Sequence, residues 1–382
     1  MNLFDEAFET ETQVQIRQIA RKFARSQIAA IVQADEETKT FRREIISGLG
    51  DLGLTGIPTQ EANGGAGLGY QEYIGAIEEI AAVSGAYAVS VAVSGLPQVI
   101  LEKHGNEAQK KKYIPKLAQG KWIGSFVLSE ASSGSDASSL RTIAKRDGDS
   151  YILNGTKLWI TQADASDILI VMARTGGEGS KGVSSFIVEK NTPGLSLGKQ
   201  EKKMGMNISH TMEVIFENMR IPANSLLGQE EDGMKVAFAA LDSGRITIAA
   251  TALGIARSAI EVAIQHANIR EQFGKPILEF QGVGFMLADM LTEYQAAKGL
   301  VQKAAFLRDE GLPYSIQAAQ AKVYATDMAM KVTTDAIQIL GGSGYTEDFP
   351  VERYMREAKM LQIVEGTNQI QRLVISRAMK IL

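Results

Sequence analysis

Between Trp122 and about Ile221 the hydrophobic pattern of this chain changes period, and it changes back after Gly233. A helix repeats its apolar face about every 3.6 residues and a strand every two, so one stretch cannot serve as both. The period therefore divides the chain into three parts. Before the change, Val14, Ile16, Ile19, Ala20 and Phe23 recur at helical spacing, and further helices are expected over Phe41–Leu52, Tyr70–Val83, Ala86–Lys103 and Glu107–Leu117. Within the middle part, Ser150–Asn154, Lys157–Thr161, Ile168–Met172 and Val183–Val188 read as strands. Asn154-Gly155 is expected as a hairpin turn between the first two, with further turns at Thr192-Pro193-Gly194 and Glu217-Asn218. After it, helical patterns cover Met234–Ile269, Phe280–Asp309, Tyr314–Leu340 and Ile370–Ile381, and Leu287, Met290, Leu291 and Tyr294 form a bundle-core stripe. The expected architecture is α+β: an N-terminal helical domain (residues 1–120), a compact central β domain (121–232) and a C-terminal four-helix-like bundle (233–382).

At 382 residues the chain exceeds what one core usually supports. It has no cysteine, which excludes thiolate catalysis, disulfides and cysteine-ligated metals. Its three histidines (His104, His210, His266) lack metal-ligand spacing and give no basis for a Ser-His-Asp hydrolase. A net charge of −4 gives no reason to expect binding to nucleic acid. Asp5, Glu6, Glu9 and Glu11 precede the first arginine, unlike a signal or transit peptide. No uninterrupted apolar run reaches the roughly 18 residues of a membrane span. The expectation is a cytoplasmic protein. The loop Gly64–Gly69 lacks dinucleotide-motif spacing and a leading strand, so it reads as a turn between helices.

One stretch stands apart: Ile363-Val364-Glu365-Gly366-Thr367-Asn368-Gln369-Ile370-Gln371-Arg372. Glu365 follows an apolar run and precedes Gly366, which can turn the chain at once. Thr367 or Asn368 can then cap a helix, with Gln371 placed as a capping-box partner of Asn368. A carboxylate aimed by a turn against an apolar wall is desolvated, which raises its pKa and suits a general base. The same residues, taken alone, also describe a solvated first-turn glutamate interacting with a helix dipole.

Glu365-Gly366-Thr367, with Ile370-Gln371 downstream, resembles the C-terminal signature of the acyl-CoA dehydrogenase family. Phe126-Val127-Leu128-Ser129-Glu130-Ala131-Ser132-Ser133-Gly134-Ser135-Asp136 is similar to that family's first signature, with Val127 where a smaller residue is usual. Trp159-Ile160-Thr161, Arg270-Glu271-Gln272-Phe273-Gly274, Gln281 and Gln338-Ile339-Leu340-Gly341-Gly342 follow in the family's order. The resemblance implies a helical, β-barrel-like, four-helix-bundle fold, FAD as cofactor and Glu365 as the base. It implies that Phe126, Leu128, Ser129, Trp159, Ile160, Thr161, Thr367 and Gln369 surround the flavin. Arg270, Gln272 and Phe273 would reach the FAD pyrophosphate of a neighbouring subunit, and Gln281, Gln338, Gly341 and Gly342 would complete the adenine and pyrophosphate surround. Ser135 would lie near cofactor and CoA, and Asp242, Arg245, Val364 and Gly366 would line the substrate channel.

In some members the base precedes the arginine of Leu241-Asp242-Ser243-Gly244-Arg245; here that position is Gly244, which cannot act. Val364 stands where a tyrosine is common in the family; the isobutyryl-type enzymes that this chain resembles carry an aliphatic residue there, which hints at a short or branched acyl group. The implied reaction is α,β-dehydrogenation of an acyl-CoA: Glu365 takes the α-proton, flavin N5 takes the β-hydride, and an electron-transfer flavoprotein receives the electrons. A homotetramer built as a dimer of dimers is implied as well. A dehydrogenase of carrier-protein thioesters, an acyl-CoA oxidase and a non-catalytic acyl-CoA- or flavin-binding scaffold remain alternatives.

Overall fold

The computed structural model describes Phe4 and residues 9–381. Asp5 and Glu6, on which part of the N-terminal charge reading rests, lie outside the described residues. The first part is helical: α1 (Glu11–Phe23), α2 (Val32–Thr38), α3 (Arg43–Asp51), α4 (Tyr70–Ala81), α5 (Gly85–His104) and α6 (Glu107–Ala118). α1 starts at a capping box, in which Thr10 Oγ accepts from the Gln13 N–H and Gln13 Oε1 accepts from the Thr10 N–H.

The middle part is a sheet of β1 (Gly124–Val127), β2 (Ile143–Asp147), β3 (Ser150–Thr161), β4 (Ile168–Arg174), β5 (Val183–Glu189), β6 (Leu195–Gln200), β7 (Thr211–Pro222) and β8 (Leu226–Leu227). Their order is β6-β7-β3-β2-β4-β5-β8, with β1 running parallel to β4. Alternate residues serve two cores. Leu169 and Val171 face Tyr151, Phe186 and Phe216 inside the β domain, whereas Ile168, Ile170 and Met172 face the cluster shared with α5, α6 and the next helix.

Two expected turns are corrected here. Asn154-Gly155 makes no hairpin, because β3 runs unbroken from Ser150 to Thr161. Gly155, at φ +149, forms a bulge, and a Cβ there would lie 2.5 Å from Thr142 Oγ1. Glu217-Asn218 lies inside β7, where Asn218 adopts φ +47 and its N–H donates to Asn154 Oδ1 at 2.8 Å. The turn-forming residues of both strands therefore kink one antiparallel pair instead of ending it.

The last part comprises α7 (Gly233–Ile269), a short hairpin of β9 (Glu271–Gln272) and β10 (Lys275–Pro276), α8 (Gln281–Asp309), α9 (Ser315–Leu340), α10 (Val351–Leu361) and α11 (Asn368–Ala378). α10 went unread in the sequence because a buried Arg353–Glu357 ion pair (3.0 Å) interrupts its apolar face. The 37-residue α7, about 55 Å long at 1.5 Å per residue, packs against α4, α5, α8, α9 and α10. An ion cluster beside it binds the N-terminal helices to the bundle: Arg257 and Arg17 pair with Glu79 and Glu78 at 2.7 Å each, and Tyr294 donates to Glu78.

The expectation concerned uninterrupted apolar runs; averaged over a window, two helices are long and apolar enough to cross a membrane by length and composition. α5 and α7 pass on length and hydropathy, but 78% and 89% of their apolar windows are buried within the protein. A helix enclosed on all sides by other helices takes on the same all-round apolar composition as one enclosed by lipid.

Candidate active site

Where the β sheet meets α5, α7 and the segment between α10 and α11, a cavity of about 340 Å³ opens. Val89, Val93 and Leu96 of α5 and Leu241 and Ile248 of α7 form apolar walls, with Met360, Ile363 and Val364 opposite. Phe126, Leu128, Ser129, Ser135, Trp159, Ile160 and Thr161 line it from the sheet side. Arg245, Glu365, Gly366 and Thr367 complete the lining.

Glu365 reaches the cavity on an unusual backbone. It has φ +55 and Gly366 φ +84, two successive left-handed residues. Such a conformation is ordinary for glycine and strained for glutamate. Thr367 then caps α11 by accepting from the Ile370 N–H at 3.3 Å. Gln371 does not complete a capping box with Asn368. Its Nε2 donates instead to the carbonyls of Glu365 (3.0 Å) and Gly366 (2.8 Å), tying down the strained turn.

The Glu365 side chain is half-buried, and its Oε2 is buried with no hydrogen-bond partner among the described residues. Burial pushes its carboxyl pKa up to about 7, opposed by the charges of Arg245 and Lys322. An ordinary first-turn glutamate would be solvated and acidic, whereas Glu365 lies ahead of the Thr367 cap with a buried carboxyl oxygen and a raised pKa. Gly244 makes room for it: a Cβ on Gly244 would stand 2.9 Å from both the carboxyl carbon and Oε2 of Glu365.

Arg245 is buried, with Nη1 bonded to Asp242 Oδ1 at 2.5 Å, and Ser315 Oγ donates to the same oxygen at 3.0 Å. Asp242 stands behind Arg245 and outside the cavity lining, and burial raises its carboxyl pKa. On the sheet side, Trp159 adopts φ +59 and leaves 52% of its surface exposed, presenting an aromatic face to the cavity. The loop after β1 is anchored from behind: the fully buried Lys157 donates from Nζ to the Leu128 carbonyl and to Glu130 Oε1, each at 2.9 Å. Glu130 also accepts from the N–H groups of Arg141 (2.7 Å) and Thr142 (2.9 Å).

The other residues singled out in the sequence do not line this cavity. Arg270, Gln272 and Phe273 occupy the exposed β9–β10 hairpin, and Phe273 is 95% exposed. Gln281, Gln338, Gly341, Gly342 and Gln369 are exposed as well. Sequence reasoning passed over Lys157 and Lys322, both of which are fully buried beside the site. Their signal was positional: Lys322 falls on the same helical stripe as Ala318 and Ala325, where a lysine has no access to water.

Comparison with known proteins gives a consistent result along the chain. Family models described as acyl-CoA dehydrogenase N-terminal, middle and C-terminal domains match residues 10–121, 125–219 and 231–380. An acyl-CoA dehydrogenase of Bacillus subtilis is 49% identical over 96% of this chain and 98% of its own. The structure of butyryl-CoA dehydrogenase from Megasphaera elsdenii superposes with a TM-score of 0.96 at 42% identity, covering 97% of this chain and 98% of that one. A chain from the structural study of the electron transferring flavoprotein of Acidaminococcus fermentans, concerned with flavin-based electron bifurcation, gives 0.95 at 45% identity, covering 97% and 98%.

Proposed function

Because this chain belongs to the acyl-CoA dehydrogenase family, we propose that Glu365 is the base with which it dehydrogenates a short or branched acyl-CoA thioester between Cα and Cβ. The observation that carries this reading is the unpartnered, buried Oε2 of Glu365 facing an apolar cavity. A carboxylate in that setting is basic enough to take a proton at neutral pH and has no competing donor to quench it.

The family's cofactor is a flavin, and the residues present fit one. Trp159 offers an open aromatic face, and Ser129 and Thr161 edge the apolar walls with polar groups. That combination suits a planar ring system with a polar rim. We take the flavin to be FAD, held by Leu128, Ser129, Trp159 and Thr161 from this chain. When bound, it supplies the acceptor for the β-hydride. The protein's own residues do the rest. Glu365 removes the α-proton, Val89, Val93 and Val364 exclude water, and Arg245, held by Asp242, fixes the positive end of the cavity.

The missing contacts belong, in this reading, to a second copy. Ile269 (79%), Phe273 (95%), Phe285 (64%) and Tyr345 (86%) are exposed around Arg270, Gln272 and Gly341-Gly342. An apolar patch of that kind favours burial against another subunit, which supports a homotetramer in which Arg270 serves the neighbour's cofactor. An electron-transfer flavoprotein is the proposed acceptor, supported by the likeness to the Acidaminococcus chain.

Anaerobic titration of the purified flavoprotein with butyryl-, isobutyryl-, 2-methylbutyryl-, octanoyl- and cyclohexanecarbonyl-CoA tests the proposal. Bleaching near about 450 nm by the short or branched members is the expected result. Bound flavin that none of them bleaches would overturn it. Gly244→Ala should keep the flavin and lower kcat about tenfold to a hundredfold by displacing the carboxyl. A kcat equal to wild type would show that the close approach is unimportant.

A further inference from the structure

Lys322 lies on α9 among Ala318, Ala319, Ala321 and Ala325, and it is 0% exposed. An ammonium so placed is tolerable only if its protons find acceptors. Its Nζ donates to the Gly366 carbonyl at 2.9 Å and to Asn368 Oδ1 at 2.8 Å. Both acceptors belong to the segment that carries Glu365. One turn further along α9, Thr326 and Asp327 continue the grip. Asn368 Nδ2 donates to Thr326 Oγ1 (2.9 Å) and to Asp327 Oδ1 (2.7 Å). Gln362 Nε2 and Arg372 Nη2 also donate to Asp327, each at 2.7 Å. α9 thus holds this segment before, within and after the strained Glu365-Gly366 turn. Strained backbone persists only where its surroundings over-determine it.

We propose that Lys322 is a positioning residue for the base: it holds the Glu365–Gly366 turn through the Gly366 carbonyl, and its ammonium charge favours the carboxylate form of Glu365. This rests on Glu365 being the base. The charged groups that bear on the pair are Asp327 on α9, Asp242 and Arg245 on α7, and Arg372 on α11, itself bonded to Asp327. Burial pulls the Lys322 ammonium down to about 7, with Arg245 adding to the fall and Glu365 and Asp327 opposing it. Glu365 is pushed up into the same range, so the charge on each group bears on the other.

The test is the pH profile of kcat/KM for the flavin-loaded enzyme and its variants, with an acyl-CoA that bleaches the wild type. Removing a neighbouring positive charge makes the carboxylate harder to form. In Lys322→Met the low-pH limb should therefore move to higher pH by about one unit, lowering the rate below that limb about tenfold. Lys322→Arg carries at every pH a charge that Lys322 itself sheds near about 7, so its limb should lie at or below that of the wild type, and a limb moved upward as in Lys322→Met would count against the proposal. A Lys322→Met enzyme whose limb coincides with the wild type, whether slow or fast, overturns the proposal. If that variant does not fold, Lys322→Gln keeps a donor for Gly366 without the charge: a shifted limb supports the coupling and an unshifted one refutes it. Glu365→Gln separates the two readings, because full turnover in that variant removes the base itself, whereas loss there with an unmoved limb in Lys322→Met removes only the coupling.

Discussion

Glu365→Gln is expected to keep the flavin absorbance of the wild type and to lose about a thousandfold in kcat, within the range that a general base contributes. The substitution preserves size and burial and removes only the capacity to accept the α-proton. The pH dependence follows from the same group. Its folded pKa of about 7 stands above the ordinary 4.5, so the active carboxylate form is lost as pH falls through about 7, and kcat/KM should fall with it. Stability should run the other way. The folded protein binds the Glu365 proton more tightly than the unfolded chain, so this group's contribution to stability declines as pH rises from about 4.5 to about 7. Turnover within tenfold of wild type in Glu365→Gln would place the base elsewhere.

Glu130→Ala should be the most damaging change away from the cavity. Lys157 and Glu130 are both buried and meet at 2.9 Å. Removing the carboxylate leaves an ammonium without its partner and the Arg141 and Thr142 N–H groups without their acceptor. Breaking a buried pair in this way costs about 3–5 kcal/mol. The loop at Leu128 and Ser129 depends on the same lysine, through the Leu128 carbonyl, so the variant should also lose flavin on gel filtration. Replacing both partners, as Glu130→Leu with Lys157→Met, should recover much of the stability without restoring flavin retention, since Lys157→Met removes the bond to the Leu128 carbonyl. A Glu130→Ala protein that melts with the wild type and keeps its flavin would show that the pair is dispensable. A double variant that binds flavin normally would show that the anchor, at least, is unimportant.

These two sites were legible to different degrees in the sequence. Glu365, with its apolar approach and the glycine behind it, gave local signals that also fit a solvated first-turn glutamate, and the resemblance of Glu365-Gly366-Thr367 to a family signature is what singled it out. The sheet-side lining at Phe126, Leu128, Ser129 and Trp159–Thr161 also converges on the cavity. Lys157 and Lys322 were not read, because a lysine in a strand or helix is solvated by default and only the third dimension shows water to be absent. α10 was missed for the related reason that Arg353 and Glu357 look like a polar face while being buried against each other. At Asn154-Gly155 the local rule identified a glycine-specific conformation correctly and assigned it the wrong use, since a bulge and a hairpin both call for positive φ. Arg270, Gln272 and Phe273 lie at the surface of a single chain, and no folding argument within one subunit could bring them to the cavity.

The left-handed backbone of Glu365 also bears on descent. A lineage that kept this fold but no longer used the reaction would gain by replacing Glu365 with glycine or asparagine, relieving the strained φ and the orphaned carboxyl oxygen in one step. Selection for stability would therefore remove this residue early, before the walls of the cavity. A chain that works through Glu365 has to carry that strain, so among diverged copies of this fold position 365 is the place to look for disuse. A silent copy that retained the acid on the same backbone would deprive it of that meaning.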